Sequence, residues 1–292
     1  MTDLLHHFHF QHSALRGELV QLSGSYTALL GTHDYPDIVK RQMGQALAAV
    51  ALMTSTLKLF GSLILEVKGN GPLSLLMVEC NDAGDMRGIA HYDDSLNTTN
   101  DITWGDLVGD GHCILTIDPN EGERYQGIVS LSGQSLSEVL THYFAQSEQL
   151  PTRFWLFANE ISAAGLLLQV LPGHDHEEKE SEDWSRVVTL ADTLVASELL
   201  GLEANTVLYR LYHDEQVLLL GQHELRFKCS CTRQRSANAL RAIDAEELQD
   251  IANENGGFID VNCQFCRNHY RFDAIDLAAL HQPIDSSSSS LQ

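Results

Sequence analysis

Residues 37–57 set the helical period most clearly. After Pro36, placed where a first-turn proline fits, Val39, Met43, Ala46, Leu47, Val50, Met53 and Leu57 recur three and four apart. That stripe predicts the longest amphipathic helix of the first half, its Met and Ala face serving as core packing. The period then falls to two. Residues 62–68, 73–80 and 86–92 read as strands of a meander, joined by Gly69-Asn70-Gly71-Pro72 and Asn81-Asp82-Ala83-Gly84-Asp85, both of which are turn chemistry. The glycines of the first turn lack a G-x-G-x-x-G pattern, a P-loop lysine and a following helix, so it is a hairpin and not a phosphate cradle. Strands at 111–118 and 124–131 flank Pro119-Asn120-Glu121-Gly122-Glu123. Ser135-Leu136-Ser137-Glu138 then has the spacing of a capping box and starts a helix to about Ser147. Strands near 153–158 and 164–171 complete a mixed sheet carrying helices, so the expected fold class is α+β.

The pattern breaks after Pro172-Gly173. From His174 to Trp184 the chain carries six carboxylates and one lysine, a solvated connector with no core of its own. Two helical stretches follow, about 184–199 and 204–213. Their apolar positions, among them Trp184, Val187, Leu194, Val207 and Leu211, are too few for a separate core and must pack on a neighbour. From 225 the chain is organised by cysteines, with helices near 236–242 and 244–252, the alternating Phe258-Ile259-Asp260-Val261, a strand through Asn268-His269-Tyr270-Arg271-Phe272 and a short helix capped by Asp273. The expected division is a core domain over 1–173, an acidic connector and helical linker over 174–224, a zinc module over 225–283, and a disordered serine-rich tail over 284–292.

Charge narrows the function. Eighteen Lys and Arg stand against 40 Asp and Glu, a net charge of −22. A phosphate backbone is bound mainly by Lys and Arg, so this balance opposes a nucleic-acid binder and favours solubility. The N-terminus lacks the basic start and apolar run of a signal peptide, and no stretch approaches the ~18 apolar residues of a membrane span. The expected address is the cytoplasm, with no membrane partner. Among the 14 histidines, His6, His7, His9 and His12 have no neighbouring cluster of carboxylates or thiols in the sequence and read as surface imidazoles. Cys80 and Cys113 fall inside apolar strands and read as buried small hydrophobes.

The remaining four cysteines carry the chemistry. Cys229 and Cys231 form a C-x-C pair, Cys263 and Cys266 a C-x-x-C pair, and residues 232–262 separate them. Two close pairs joined by one loop can place four thiolates around a tetrahedral ion, for which Zn²⁺ is the usual occupant of an all-sulfur site. A single residue inside the first pair makes a tight chelate and also brings two thiols within reach of a mutual disulfide. Such a site can be an inert staple, which would leave a constitutive zinc-stapled interaction module. It can also be redox-active, and the C-x-x-C pair alone hints at a thiol-disulfide oxidoreductase, although no βαβ pattern surrounds it. Structural disulfides would need an oxidising compartment, which nothing in the chain indicates. A zinc hydrolase needs an open coordination position, which four cysteines close, and no Ser-His-Asp set or carboxylate pair stands out. No catalytic residues are expected, and the chain is not read as an enzyme.

With these pieces placed, the chain resembles the heat shock protein 33 family from end to end. The likeness rests on Arg16-Gly17-Glu18-Leu19, Glu121-Gly122-Glu123-Arg124-Tyr125-Gln126-Gly127, Ser147-Glu148-Gln149-Leu150-Pro151-Thr152-Arg153, Gly165-Leu166-Leu167-Leu168-Gln169-Val170-Leu171-Pro172, Leu211-Tyr212-His213-Asp214-Glu215 and the four cysteines in order. The resemblance implies a redox-regulated, ATP-independent holdase chaperone of the stress response. It would be inactive when reduced, with one Zn²⁺ per chain on Cys229, Cys231, Cys263 and Cys266. It would be active when oxidised, with disulfides Cys229-Cys231 and Cys263-Cys266 and the zinc released. It also implies unfolded client proteins as partners and a homodimer on activation. Client-binding residues are not assigned; exposed positions on helix 37–57 and on the linker helices are the candidates.

Overall fold

The computed structural model describes residues 3–56, 60–97, 102–171 and 182–280. The chain divides into two units, Met1–Lys228 and Cys229–Gln292, and its class is α+β as expected. The first unit opens with strands β1 (Leu4–Phe10) and β2 (Leu15–Leu22), short helix α1 (Gly24–Leu30) and long helix α2 (Asp37–Thr56). The meander follows as β3 (Gly61–Gly69), β4 (Leu73–Asn81) and β5 (Asp85–Tyr92), then helix α3 (Trp104–Val108) and strands β6 (Gly111–Pro119) and β7 (Tyr125–Ser130). Helix α4 (Leu136–Tyr143) begins at the expected cap, where the Ser135 side chain accepts from the Glu138 amide, and runs into a π turn over Phe144–Glu148. Strands β8 (Thr152–Ala158) and β9 (Ala163–Val170) complete this part.

These strands form two sheets, where the sequence pattern suggested one. A five-stranded sheet has the order β10-β1-β2-β9-β8, with β10 spanning Val217–Glu224, and a six-stranded sheet has the order β11-β5-β4-β3-β6-β7, with β11 spanning Arg226–Phe227. Every pairing is antiparallel except β11 on β5. Helix α2 accounts for the split, because it packs against β2, β8 and β9 of one sheet and β3, β4 and β5 of the other. A helix covered on both sides needs apolar residues all round, and every residue from Ala46 to Thr54 is buried. Asp37 is its only exposed position among the described residues, so α2 offers no ready surface for a client; Leu57 lies outside those residues. Gly44 permits the close approach, since a Cβ there would sit 2.7 Å from the Ala158 Cβ and 2.9 Å from that of Ala163.

The outer face of the five-stranded sheet is covered by helices α5 (Glu182–Ala191), α6 (Ala196–Gly201) and α7 (Ala204–Tyr212). The stretch predicted as one helix over 184–199 is two, interrupted between Ala191 and Ala196. Val187, Ala191, Leu199, Val207, Leu211 and Tyr212 meet Phe8, Phe10, Leu19, Leu166 and Leu168 in a second core. With a helical layer on each face, all eight residues of β9 are buried.

The same two-sided cover overturns the surface reading of the N-terminal histidines. His6 lies in β1 at 6% exposure, and His7 Nδ1 is 2.5 Å from the buried Glu18 Oε2. Burial lowers the pKa of His6, while the hydrogen bond to Glu18 raises that of His7. Only His12 of the four is fully exposed. Gly17 leaves room for the Phe8 ring, which a Cβ at that position would overlap. Most of the acidic connector, residues 174–181, and the tail predicted over 284–292 lie outside the described residues.

The second unit holds helices α8 (Arg233–Leu240) and α9 (Ala245–Glu254), the antiparallel hairpin of β12 (Phe258–Asn262) and β13 (His269–Asp273), and helix α10 (Ala274–Leu280). Its core is small: Ala237, Leu240, Leu248, Ala252, Ile259, Phe272, Leu277 and Leu280.

Candidate metal centre

Two local structures present the cysteines. In the first, Cys229 and Cys231 lie just before α8, whose cap is Thr232, its side chain accepting from the Arg235 amide. Arg235 also reaches back, and its Nη1 donates to the Ser230 carbonyl at 3.1 Å and the Ser230 hydroxyl at 2.6 Å. The residue between the two thiols is thereby held. In the second, Cys263 and Cys266 occupy the loop of the β12–β13 hairpin. The Cys263 amide donates to the Asn268 carbonyl at 2.8 Å, and the Arg267 amide to the Cys263 carbonyl at 2.9 Å. Arg267 takes a left-handed conformation (φ 61°) to close that turn. Across the hairpin, Asp260 accepts from Arg271 Nε and from His269 Nε2, each at 2.8 Å, which keeps the strands in register.

The sequence pairs converge. Sγ of Cys229 is 3.7 Å from that of Cys263, Sγ of Cys231 is 3.4 Å from that of Cys266, and all four sulfurs lie within 4.8 Å of one another. Four thiolates at about 2.3 Å from a central ion have tetrahedral edges of about 3.8 Å, so the cluster fits such an ion with little movement. A disulfide needs about 2.05 Å between sulfurs, and all four thiols are free. The four residues could together hold a metal ion, and four sulfurs fill a tetrahedral shell without leaving a place for water.

Two neighbours of the cluster were not singled out from the sequence. The Tyr270 hydroxyl is 3.2 Å from the Cys231 sulfur, and Asn268 Nδ2 is 3.9 Å from it. Strand alternation places Tyr270 on the same face as buried Phe272, which is the signal that could have found it. These contacts make the thiols unequal. Burial alone would raise Cys231, but hydrogen bonds from Tyr270, Cys266, Cys229 and Cys263 bring it down to about 7. Burial pushes Cys229 and Cys266 up.

Cys80 and Cys113 are buried at 1% and 0% exposure, as the strand pattern implied, and burial pushes each thiol up to about 12. The oxidoreductase reading of the C-x-x-C pair finds no support in its setting. That chemistry uses a helix N-terminus to stabilise the attacking thiolate, and here Cys266 is followed by Arg267, Asn268 and a strand.

Comparison with known proteins agrees with this architecture. The family model described as Hsp33 protein matches residues 3–273. A 33 kDa chaperonin of Pseudomonas savastanoi pv. phaseolicola is 48% identical over 281 residues, covering 96% of this chain and 93% of that protein. One of Azotobacter vinelandii is 48% identical over 280 residues, covering 95% and 94%. The crystal structure of the 33 kDa chaperonin (heat shock protein 33 homolog) of Thermotoga maritima superposes with a TM-score of 0.79 at 22% identity, covering 96% of this chain and 98% of that one. This chain belongs to the Hsp33 family of chaperones.

Proposed function

We propose that the protein is an ATP-independent holdase of the cytoplasm that oxidation switches on, with one Zn²⁺ per chain held by Cys229, Cys231, Cys263 and Cys266 in the reduced, inactive form. The observation that carries the reading is the meeting of four free thiols within 4.8 Å, in a unit with eight buried apolar residues among those described. The partners are unfolded or partly unfolded client proteins, with neither nucleic acid nor membrane among them, and the active form is a homodimer. Among the described residues no helix is long and apolar enough to cross a membrane.

Cys229, Cys231, Cys263 and Cys266 would hold the Zn²⁺, which when bound would keep all four sulfurs deprotonated and tie the C-x-C segment to the hairpin. One thiolate of a pair attacks the O–O bond of a peroxide and becomes a sulfenic acid, a two-electron oxidation whose displaced hydroxide leaves as water after taking a proton. Its neighbour attacks the sulfenic sulfur, the S–S bond forms, and a second hydroxide leaves in the same way. Repeated on both pairs, this yields Cys229-Cys231 and Cys263-Cys266. A disulfide is a poor ligand, so the metal is lost.

A structural zinc is worth ~10–16 kcal/mol in small zinc peptides, while disulfides across very short loops restore only a few kcal/mol. Residues 225–283 therefore unfold as the redox module. The linker, residues 174–224, follows because β10 and β11 end just before Cys229. Loss of α5–α7 uncovers the apolar face of Phe8, Phe10, Leu15, Leu166 and Leu168 on the core domain, residues 1–173.

The test is zinc content and thiol count, with suppression of aggregation of a denatured client, before and after peroxide at mildly elevated temperature. Loss of one zinc and four thiols together with a reversible gain of holdase activity supports the switch. Retention of zinc with unchanged client binding leaves a stapled module and overturns it.

A further inference from the structure

The four thiolates do not share one environment: Cys231 alone has a tyrosine hydroxyl against its sulfur, at 3.2 Å, among the described contacts. On a deprotonated sulfur that hydroxyl can only donate. We propose that Tyr270 is a positioning residue of the redox site, whose hydrogen bond to Cys231 Sγ damps this sulfur and makes Cys229 the first of the C-x-C pair to be attacked by peroxide. The inference rests on the proposed zinc-thiolate reading and concerns which sulfur reacts and how fast.

The geometry is built rather than incidental. Tyr270 is anchored on β13 opposite Val261 of β12, with its ring against the small core beside Ile259 and Phe272, so the hydroxyl is delivered by the same hairpin that carries Cys263 and Cys266. The Asn268 side-chain amide approaches the same sulfur from the loop at 3.9 Å, a weaker second donor. Among the described residues no comparable hydroxyl or amide side chain is placed against Cys229, whose sulfur is 3.7 Å from that of Cys263.

When all four sulfurs are thiolates, the thiolate fraction no longer limits the rate and intrinsic nucleophilicity decides it. A donated hydrogen bond withdraws charge from sulfur, and each tenfold loss of basicity costs about threefold in attack rate. Attack at Cys229 gives its sulfenic acid and one water. Cys231 then attacks that sulfur, closing the disulfide and releasing the second oxygen as water. Thiolate character is needed in this second step too, so a damped Cys231 slows first attack without blocking closure. The hydroxyl thus directs the first attack to Cys229 and slows the pair as a whole by less than about twofold.

The experiment compares the zinc-loaded full chain with Tyr270→Phe and with Asp260→Asn. The latter weakens the hairpin through Arg271 and His269 but leaves the Tyr270 hydroxyl in place. Pulse alkylation with iodoacetamide, mapped by peptide mass, reads each sulfur without any redox step. Zinc release is followed both in limiting peroxide and in a chelator alone. The expected result for Tyr270→Phe is alkylation of Cys231 about threefold faster relative to the other three cysteines, with a smaller gain, less than about twofold, in peroxide-driven zinc release and unchanged chelator-driven release. Asp260→Asn should speed the chelator-driven loss and leave the alkylation ratio alone. An unchanged ratio in Tyr270→Phe, or a change matching that of Asp260→Asn, overturns the proposal. If the parent chain keeps its zinc in peroxide yet shows the alkylation shift, the switch fails and the role of Tyr270 on the sulfur stands. A chain that binds no zinc ends both.

Discussion

Asp3 shows how one side chain can close a fold at its start. It is buried, and its carboxylate accepts from the backbone amides of Ser23, Gly24 and Ser25 at the first turn of α1, while its own carbonyl accepts from Leu225 at 3.0 Å. It serves as a cap supplied from outside the helix, because Ser23 makes no side-chain cap bond to a later amide. Removing it strands donors at a buried helix start, so Asp3→Ala should lower unfolding stability by about 1–3 kcal/mol, read as a lower denaturant midpoint at unchanged m-value. Cys80 and Cys113 carry a second prediction at this scale. Their folded thiols hold the proton to about 12, against about 8.5 in an unfolded chain. Folding therefore favours the protonated form. Their contribution is fully present below about pH 8.5 and is lost as the pH climbs toward 12. At pH 8 the native, metal-free chain should alkylate at Cys229, Cys231, Cys263 and Cys266 and spare the two core thiols until denaturant is added. The burial of Cys80 and Cys113 and the meeting of the four paired cysteines could be expected from sequence alone, because strand context and paired spacing are both local. The sequence did not disclose Tyr270 or Asp3, whose partners lie 39 and about 20 residues away along the chain.

Among the elements, what could be read was the period and what could not was the number of covered faces. The repeat in α2 is visible as a helix, but burial of Ala48, Ala49, Ala51 and Leu52 off the main stripe follows only from having a sheet on each side. β1 was unreadable for a related reason. Its alternation, Leu-Leu-His-His-Phe-His-Phe, mixes histidines and apolar residues because both faces are occupied, one by α2 and the other by α5–α7. β10 was missed because its leucines 218–220 run together and stay exposed at a sheet edge. The shortest element matters most for the site. β11 pairs in parallel with β5, and Asp85 there receives Arg226 Nε at 2.5 Å and Lys228 Nζ at 2.8 Å, so the chain is held to the first unit up to the residue before Cys229. Both cations are largely exposed, so the clamp is worth about 1 kcal/mol. Asp85→Asn should leave the global midpoint nearly unchanged while the amides of Arg226 and Lys228 exchange several-fold faster. Unaltered protection would mean that the two backbone bonds, to Gly84 and Met86, hold the strand unaided.

At the level of the whole molecule, the two units differ in what stabilises them. The first has two apolar cores, one on each face of the five-stranded sheet, and needs no metal to account for its order. Among its described residues the second has eight buried apolar side chains around one hairpin and three short helices, a marginal core for a unit of this size. Its cation–aromatic contacts, Arg233 over Phe272 at 4.4 Å and Arg271 over Phe258 at 3.9 Å, are worth about 0.5–1 kcal/mol each at exposed sites and cannot replace a metal. Chelation under reducing conditions should therefore unfold residues 229–280 while α2 and strands β2 to β9 stay folded. Hydrogen exchange would read this as loss of protection in α8, α9, α10 and the β12–β13 hairpin, with β3, β4, β6 and β9 still slow. Chelation removes the metal without forming disulfides, whereas peroxide does both, so the two treatments separate loss of the staple from disulfide formation. If chelation alone also frees α5–α7 and yields holdase activity, metal loss is the whole signal. If α5–α7 stay protected until the disulfides form, oxidation acts on the linker beyond releasing the metal. A reduced, metal-free chain that keeps protection at β12 and β13 would show instead that the small core suffices, and the energetic argument for the switch would fall.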